Sequence, residues 1–460
     1  MTNKFDVIVI GAGQAGPSLA VQFANMGKKV AIIERKLFGG TCVNNGCIPS
    51  KTLIASAKVA HLTREAQEFG VMAQGSITVD MKRVKARKDA IVDKASKGLE
   101  DWLENTPNCH VYKGHARFEN PHIIRVGDEL LEGEKIFINV GARAVVPSIP
   151  GLEKIHYFTN SSIMEVDFVP QHLIIIGGSY IGLEFAQMYR RFGAKVTVIE
   201  KASKLISRED ADISEAVKEI LQSEGVDIRL NAECIELDKQ NDEIVVRLDC
   251  TDSEKIISGS HLLFAIGRIA NTDDLGLDKA GIEVDKNHFI KVDDYLQTNI
   301  GHIWALGECN GKGAFTHTSY NDYEIVAANL IGNQSRRVSD RILTYGLFID
   351  PPLGRAGMTE AQALDSVKPA LIGKRAMTQV KRAVIKGETQ GFIKVLVDEE
   401  SKLILGAAVL GVGGDEIIHS ILDVMYAKKP YTVIQNAVHI HPTVTELIPT
   451  MLGELKPLKH

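Results

Sequence analysis

The sequence predicts an α/β fold with two similar strand–helix–strand units and a separate C-terminal α+β domain. Three observations lead to this fold class: an internal repeat, another apolar strand that meets a glycine turn at 303–330, and a change to strand-rich patterning after residue 339. At 460 residues, the chain is long enough for about three domains.

The internal repeat defines the first two units. Its copies are VIVIGAGQAGPSLAVQFANMGKKVAIIE (7–34) and LIIIGGSYIGLEFAQMYRRFGAKVTVIE (173–200). Each runs from an apolar strand through a glycine turn into an amphipathic helix, and then into a second apolar strand that ends in glutamate. The glutamate follows the first glycine by 23 residues in both copies (34 − 11 and 200 − 177). This pattern is the fingerprint of a Rossmann-like dinucleotide-binding domain, in which Glu34 and Glu200 can accept hydrogen bonds from ribose hydroxyls.

The glycines of the fingerprint have separate physical roles. Gly11 permits the tight turn, Gly13 lets the backbone approach a pyrophosphate, and Gly16 lets the helix pack closely on the strand. The unpaired N–H groups at the start of the helix favour the phosphates. The corresponding residues of the second copy are Gly177, Ser179 and Gly182. Two fingerprints predict two bound dinucleotides.

The remaining segments suggest where the domains meet. Residues 138–152 contain an apolar strand followed by glycine and prolines, which is typical of an interdomain crossing. Before it, the first unit is followed by a long helical stretch from about Lys51 through Trp102. We expect the first dinucleotide-binding domain at 1–150 with a return segment at 272–338, the second at 151–271, and the α+β domain at 339–460.

Composition excludes several classes of function. The formal net charge of −5 gives no electrostatic reason to expect nucleic acid or an anionic membrane as a partner. The apolar opening FDVIVIGAG is too short to span a membrane and lacks the basic region and cleavage site of a secretory signal. We therefore expect a cytoplasmic protein.

Cysteine usage points to one pair. Cys42 and Cys47 lie in GGTCVNNGCIPSK (39–51), whereas Cys109, Cys234, Cys250 and Cys309 are scattered singly and are expected to be buried without a chemical role. Residues five apart in a regular helix are too far separated for a disulfide. A bridge would need a distorted turn, for which the neighbouring glycines supply the flexibility. The residues alone leave a structural bridge, a metal site, a reactive couple and two unrelated thiols as alternatives, although no second Cys/His pair for zinc lies nearby.

Together these motifs resemble the pyridine nucleotide–disulfide oxidoreductases, which include dihydrolipoamide dehydrogenase, glutathione reductase and mercuric reductase. GGTCVNNGCIPSK resembles the redox-active disulfide of that family, and HIHPTVTELIP (439–449) resembles its C-terminal histidine–glutamate motif. The resemblance spans the chain. It implies tightly bound FAD in the first domain, NADH or NADPH in the second, and a C-terminal dimerisation domain. It also implies a homodimer whose active site is shared between subunits.

The resemblance implies a role for each residue of the candidate catalytic set. Cys47 would be the thiol that lies against the flavin, and Cys42 the thiol that attacks substrate. Lys51 and Glu184 would form an ion pair beside the flavin. His441 would be the general acid–base, because imidazole suits proton transfer near neutral pH, and Glu446 would orient its ring. We expect His439 to be structural.

The resemblance also implies a set of cofactor contacts. Glu308 stands where the family usually has an aspartate that binds the ribityl chain of FAD, so its geometry differs. Glu200 favours NADH, because a carboxylate repels a 2′-phosphate, although Lys201 and Lys204 could accommodate NADPH. The matching positions are Gly11, Gly13, Gly16, Glu34, Gly40, Thr41, Lys51, Gly141, Gly177, Gly182, Glu184, Glu200, Gly267, Arg268, Gly307 and Glu308.

Within the family, the segments GAGQAGPSLA and ASAKVAHLTREAQEFG look most like mercuric-reductase-like proteins. However, no CxxC pair precedes the first glycine turn, and no cysteine follows Cys309. Since soft-metal transfer needs thiolates, we do not expect the usual mercury relay, and we predict no bound metal. The expected substrate is a small-molecule or protein disulfide, or a metal ion. The alternatives are a dihydrolipoamide dehydrogenase and, in another mechanistic class, a thiol-independent flavin oxidase or transhydrogenase.

Overall fold

The computed structural model describes residues 2–72, 75–250, 254–366 and 369–459. The first domain is built on a parallel sheet with an antiparallel ribbon at one side, in the order β3-β2-β1-β6-β5-β4. Its strands are β1 (Thr2–Ile10), β2 (Val30–Glu34), β3 (Cys109–Lys113), β4 (Ala116–Asn120), β5 (Ile123–Val126) and β6 (Glu129–Ile138). Its helices are α1 (Gly16–Asn25), α2 (Gly40–Asn44), α3 (Cys47–Glu65) and α4 (Met81–Glu104).

Residues 7–10 of β1 are apolar without alternation because both faces of the sheet are covered there. Val7 and Val9 pack into the core beneath α1, whereas Ile8 and Ile10 pack into a second core on the opposite face. Buried parallel strands have this continuous apolar pattern because helices or loops lie on both sides.

The helical stretch predicted from Lys51 through Trp102 is two helices, not one. Helix α3 ends in a 3₁₀ turn at Ala66–Phe69, and α4 begins at Met81, where the Asp80 side chain caps the N-terminus by accepting the Arg83 N–H at 3.1 Å. Gly70 and Gly75 have φ angles of 76° and 86°. Because helical residues have negative φ, Gly70 ends the first helical segment, and Gly75 lies outside both helices. The two helices pack on each other.

The second domain repeats the architecture of the first. Its parallel sheet has the order β10-β9-β8-β14, and a three-stranded antiparallel sheet β11-β12-β13 lies beside it. Strands β7 and β15 pair with each other and link the two domains. The elements are β7 (Ala142–Ala144), α5 (Asn160–Ile163), β8 (His172–Ile176), α6 (Tyr180–Phe192), β9 (Lys195–Ile199), α7 (Ala211–Ser223), β10 (Asp227–Arg229), β11 (Glu233–Gln240), β12 (Glu243–Asp249), β13 (Ile256–Gly259), β14 (His261–Phe264) and β15 (Arg268–Ala270).

The chain then returns to the first domain. Strand β16 (Ile303–Ala305) pairs in parallel with the C-terminal end of β6, whose N-terminal end pairs with β5 on the same side. Helix α8 (Thr316–Leu330) follows. The expected buried strand, glycine turn and helix at 303–330 are therefore present. We propose that the folded chain divides as predicted: a first domain at 1–150 with a return segment at 272–338, a second domain at 151–271, and the α+β domain at 339–460. The β7–β15 pair supports this division, because it lies where the chain crosses between the two parallel sheets.

The C-terminal region forms a six-stranded antiparallel sheet in the order β17-β18-β21-β20-β19-β22, with helices packed against it. The elements are β17 (Thr344–Leu347), β18 (Leu353–Gly357), α9 (Glu360–Asp365), β19 (Ala370–Ala376), α10 (Lys381–Lys386), β20 (Phe392–Asp398), β21 (Ile404–Leu410), α11 (Gly414–Tyr426), α12 (Thr432–Gln435), α13 (Ile448–Leu452) and β22 (Lys456–Pro457). In the described parts of the chain, no helix has the length and apolar character needed to cross a membrane.

Candidate active site

The two glycine turns open into one cleft of about 2170 Å³. This volume lies between the first and second domains and is closed on one side by residues from the return segment. Most of the residues predicted to contact cofactors line it: Gly11, Gly13, Glu34, Gly40, Thr41, Lys51, Gly141, Gly177, Glu184, Glu200, Gly267, Arg268 and Glu308. Gly16, Gly182 and Gly307 do not.

Both copies of the repeat hold their glutamate in the same way. Glu34 accepts a hydrogen bond from the N–H of Ala12 at 2.9 Å, and Glu200 accepts one from the N–H of Gly178 at 2.7 Å. Each carboxylate also accepts a hydrogen bond from the backbone N–H two residues after the glutamate, at 2.8 Å in both copies. The carboxylates are thus fixed beside the glycine turns, where their remaining lone pairs can accept hydrogen bonds from a ribose.

The glycine turns have the geometry that a dinucleotide needs. Gly11 and Gly177 have φ angles of 102° and 116°, and a Cβ atom on either would overlap a neighbouring backbone carbonyl. A Cβ on Gly16 or Gly182 would overlap the carbonyl of the first glycine, so these residues set the approach of helix to turn. Neither α1 nor α6 has a side-chain N-cap or an acidic residue in its first turn. Their N-terminal N–H groups therefore remain available to a pyrophosphate.

The cysteine pair lies at a break between two helices. Cys42 is in the short helix α2, and Cys47 is the first residue of α3. Between them, Asn45 and Gly46 have non-helical backbone angles, and a Cβ on Gly46 would overlap the Thr41 carbonyl. The distorted turn that the spacing required is present, and both cysteines line the cleft.

The two thiols differ in acidity. A hydrogen bond from Cys42, together with Thr316 and the positive charge of Lys51, lowers the pKa of Cys47 to about 6 against the opposing effect of burial. The same hydrogen bond to Cys47, with burial, raises the pKa of Cys42. At neutral pH the reduced pair is therefore a Cys47 thiolate beside a Cys42 thiol. Only a thiolate is an effective nucleophile, so Cys42 needs a base before it can attack.

This difference predicts how the reduced enzyme reacts with alkylating agents. Since the folded pKa of Cys47 lies below that of an ordinary thiol, its thiolate persists as the pH falls and is lost only near pH 6. In the dithiothreitol-reduced enzyme, we expect the rate of alkylation of Cys47 by iodoacetamide to be half-maximal near pH 6 and to reach its plateau about one pH unit higher. Peptide mass mapping after timed quenching gives the rate for each cysteine. An inflection near pH 8.5, as in a free cysteine, would contradict this prediction.

Lys51 and Glu184 form the predicted ion pair, with Nζ and Oε2 2.7 Å apart. Lys51 is one turn after Cys47 on α3, and Glu184 projects from α6. The ring of Phe348 lies 4.4 Å from Lys51 Nζ, and the Phe348 N–H donates to Glu184 at 3.0 Å. The C-terminal sheet thus supports a pair that joins the first and second domains.

Two contacts of the site were not predicted from the sequence. The Thr316 hydroxyl lies 3.1 Å from Cys47 Sγ, and Phe348 contacts both members of the Lys51–Glu184 ion pair. Thr316 is the first residue of α8, where a threonine ordinarily indicates a helix N-terminus. The position of α8 beside α3 depends on the return of the chain to the first domain.

A second charged pair in the cleft joins Arg268 to Glu308. Arg268 Nε lies 2.7 Å from Glu308 Oε1, and Arg268 Nη2 donates to the Ala142 carbonyl at 2.6 Å. Glu308 therefore reaches the cleft in spite of its extra methylene group. Gly307 instead donates its N–H to buried Asp322 at 2.8 Å and directs the chain into α8.

His441 and Glu446 form the predicted pair, but outside this cleft. His441 Nδ1 and Glu446 Oε2 lie 2.8 Å apart, and the histidine side chain is 75% exposed. The neighbouring side chains of Val438 and Ile440 are almost fully exposed as well. His439 bonds to the Thr445 carbonyl at 2.9 Å, which agrees with a structural role. Within one chain the pair does not line the volume that contains the cysteines.

The other cysteines are mostly buried. Cys109, Cys234 and Cys309 are buried as expected, although Cys234 also borders the cleft. The prediction was wrong for Cys250, which is half-buried. Cys250 directly follows Asp249, the last residue of β12, and packs at the edge of the core of the second domain.

Comparison with known proteins identifies the family. Residues 5–322 match the family model described as pyridine nucleotide-disulphide oxidoreductase, and residues 344–452 match the dimerisation domain of the same family. The probable pyridine nucleotide-disulfide oxidoreductase RclA of Escherichia coli is 36% identical over 99% of this chain and 100% of its own length. Dihydrolipoyl dehydrogenase of Bacillus subtilis is 30% identical over 97% of both chains. Mercuric reductase of Lysinibacillus sphaericus is 29% identical over 91% of this chain and 76% of its own length.

Solved structures agree. The Cu(II) complex of the HOCl-induced flavoprotein disulfide reductase RclA from Escherichia coli superposes with a TM-score of 0.90 at 36% identity, covering 99% of this chain and 100% of that chain. The two family models, the paired glycine turns and the cysteine couple are consistent with one another. The chain therefore belongs to the pyridine nucleotide–disulphide oxidoreductases, and it is an FAD-dependent enzyme supplied with electrons by NAD(P)H.

Proposed function

We propose that this enzyme is a homodimeric, cytoplasmic reductase that passes two electrons through the Cys42–Cys47 couple to a disulfide or a thiophilic metal ion. One observation carries the proposal. Two cysteines lie on either side of a helix break, in a cleft that both dinucleotide turns share. FAD would lie against the first turn and NAD(P)H against the second. The chemistry that FAD supplies is transfer of two electrons from NAD(P)H to the disulfide.

The residues of this chain account for the exchange steps. Cys42, once deprotonated, attacks one sulfur of the oxidised substrate, forms a mixed disulfide and displaces the first substrate thiolate. The Cys47 thiolate then attacks Cys42 Sγ, displaces the second substrate thiolate and restores the Cys42–Cys47 disulfide. The proton taken from Cys42 passes to the departing thiolate. With a metal ion the same two electrons would reduce two Cu(II) to two Cu(I).

We propose that the base for Cys42 comes from the partner subunit. The raised pKa of Cys42 makes a proton acceptor necessary, and the His441–Glu446 pair faces outward on the domain that matches the dimerisation model. We therefore place His441 of the partner subunit beside Cys42. Glu446 would orient that imidazole and stabilise its charged form.

Steady-state assays test the proposed function. We expect NADH-driven turnover with oxidised lipoamide, glutathione disulfide or Cu(II), and we expect Cys42→Ser to remove it. The substitution Cys250→Ser is the control, because it removes a thiol that lies outside the cleft. If the Cys42→Ser enzyme still reduced every acceptor, this result would contradict the proposal and favour the thiol-independent flavin oxidase.

Dihydrolipoamide dehydrogenase is the second candidate. It is favoured by the 30% identity to the Bacillus subtilis enzyme over 97% of both chains. The same assays distinguish the candidates, because a dihydrolipoamide dehydrogenase would use lipoamide far better than Cu(II) or glutathione disulfide. It would also reduce NAD⁺ with dihydrolipoamide.

Glu200 predicts a preference for NADH. Its carboxylate is fixed by two backbone N–H groups, so it cannot swing aside easily for a 2′-phosphate. We expect Glu200→Gln to lower the ratio of kcat/KM for NADH to that for NADPH by about tenfold, because the repulsion between two anions is removed. The exposed residue Glu219 on α7 provides a control, Glu219→Gln, that should leave the ratio unchanged. An unchanged ratio in Glu200→Gln would mean that Lys201 or another group sets the preference.

A further inference from the structure

A strained residue borders the second dinucleotide turn. Ile206 has a φ angle of 44°, which is rare for a β-branched residue. Its side chain is buried, and its N–H donates to the Gly178 carbonyl in the glycine turn at 2.9 Å. Ile206 and the next two residues, Ser207 and Arg208, line the cleft. Strained backbone persists where the surrounding structure determines it strongly.

The support comes from the C-terminal domain through Glu209. The N–H of Glu209 donates to the Ile206 carbonyl at 2.8 Å. Its carboxylate, which is fully buried, accepts hydrogen bonds from Arg355 Nη2 at 2.6 Å and from the Tyr345 hydroxyl at 2.6 Å. Arg355 lies on β18 and Tyr345 on β17. The strained segment is therefore attached directly to the antiparallel sheet of another domain.

The next residue strengthens the attachment. Asp210 pairs with Arg355 at 2.7 Å and with Lys394 at 2.8 Å, and all three side chains are almost completely buried. Lys394 also pairs with Asp212 at 2.8 Å and with Glu360. Buried ion pairs add little net stability, because desolvation of the charges offsets their attraction. Their directional contacts do fix geometry.

The same carboxylate also lies near a ring in the cleft. Tyr180, the first residue of α6, has its hydroxyl 3.5 Å from Glu209 Oε1, and its ring meets the Tyr345 ring edge-on with centroids 5.5 Å apart. Glu209 is thus a common contact for the strained segment, for a cleft residue and for the C-terminal sheet.

We propose that Arg355 and Tyr345 are positioning residues for NAD(P)H binding. They act through Glu209, which fixes the Ile206–Arg208 segment as one wall of the nucleotide site. When these contacts are lost, the Ile206–Arg208 segment relaxes. The segment must then become ordered again when the nucleotide binds, and this requirement raises the Kd. This inference rests on the proposed function, in which NAD(P)H binds at the second glycine turn.

Calorimetric titration of NAD⁺ into the purified FAD-loaded enzyme tests the proposal. We expect Tyr345→Phe, which removes only the hydroxyl that donates to Glu209, to raise the Kd for NAD⁺ severalfold, and Arg355→Met to raise it about tenfold or more. Tyr189→Phe is the matched control. Its side chain is also buried, and its hydroxyl donates to the Ile163 carbonyl at 2.8 Å, away from the Glu209 contacts. Reduction of the disulfide by dithionite should be unaffected in all three variants.

The outcomes separate the inference from the proposed function. A Kd that rises in Tyr345→Phe but not in Tyr189→Phe, at similar losses of Tm, supports the positioning role. Equal Kd values in the two tyrosine variants overturn it, and Tyr345→Phe alone decides the matter if Arg355→Met does not fold. A wild-type enzyme that binds neither NAD⁺ nor NADP⁺ overturns the proposed nucleotide site, and the inference with it.

Discussion

Cys42→Ser and Cys47→Ser are each expected to reduce disulfide or Cu(II) turnover by about a thousandfold or more. The two cysteines act as one catalytic unit, so removal of either one abolishes the activity of both. Each substitution leaves a single thiol in the couple, which cannot form the Cys42–Cys47 disulfide. Steady-state turnover with NADH, measured under nitrogen, gives the loss directly. The Cys250→Ser enzyme should retain full activity.

The two variants should differ in their spectra. After anaerobic addition of one molecule of dithionite per flavin, which supplies the two electrons that open the disulfide and leaves the flavin oxidised, the wild-type enzyme should show long-wavelength absorbance from the Cys47 thiolate against the flavin. Cys47→Ser should lack this band. Cys42→Ser has no disulfide to reduce and should show the band before any reductant is added, because a serine hydroxyl can still donate a hydrogen bond to Cys47. A wild-type enzyme without the band, or a band that survives Cys47→Ser, would contradict the assigned roles of the two sulfurs.

His441→Ala is expected to lower turnover by about a hundredfold to ten-thousandfold, the range for loss of a general acid–base. The physical reason is the raised pKa of Cys42, which leaves the attacking thiol protonated without a base. Glu446→Gln should have a smaller effect, because the imidazole remains. His439→Ala is the control, since that ring bonds only to a backbone carbonyl among the contacts described.

A mixed dimer determines which subunit supplies the histidine. One tagged chain carries His441→Ala and the other, with a different tag, carries Cys42→Ser, and tandem affinity purification isolates the heterodimer. If His441 serves the partner, one of the two sites keeps both groups, and the heterodimer should recover about half of the wild-type activity. If His441 serves its own chain, neither site is complete. An inactive heterodimer would therefore contradict the shared site.

Local patterns were sufficient to predict much of this site. The interval of 23 residues between Gly11 and Glu34 recurs between Gly177 and Glu200, and both glutamates hydrogen-bond beside their turns in the same manner. Such patterns are readable because the contacts form within one strand–helix–strand unit. The helical stretch after Cys47 was predicted less well, because a single glycine, Gly70, ends the first helical segment.

Contacts between distant segments could not be predicted in this way. Thr316 reaches Cys47 over 269 residues of chain, and Arg355 reaches Glu209 over 146. The residue pattern along the sequence does not predict such pairings, because they depend on how whole domains pack against each other. Even the Lys51–Glu184 pair was predicted through resemblance to a family rather than from the residues themselves.

By itself the sequence determined the two dinucleotide units, the chemical types at the site and the need for a distorted turn between Cys42 and Cys47, since these follow from local backbone geometry. The tertiary structure decided the acidity of the two thiols, because pKa shifts depend on which charges and donors surround each sulfur. It also decided that His441 faces away from the cleft of its own chain. Distance and burial are properties of the packed domains, and local sequence does not specify them.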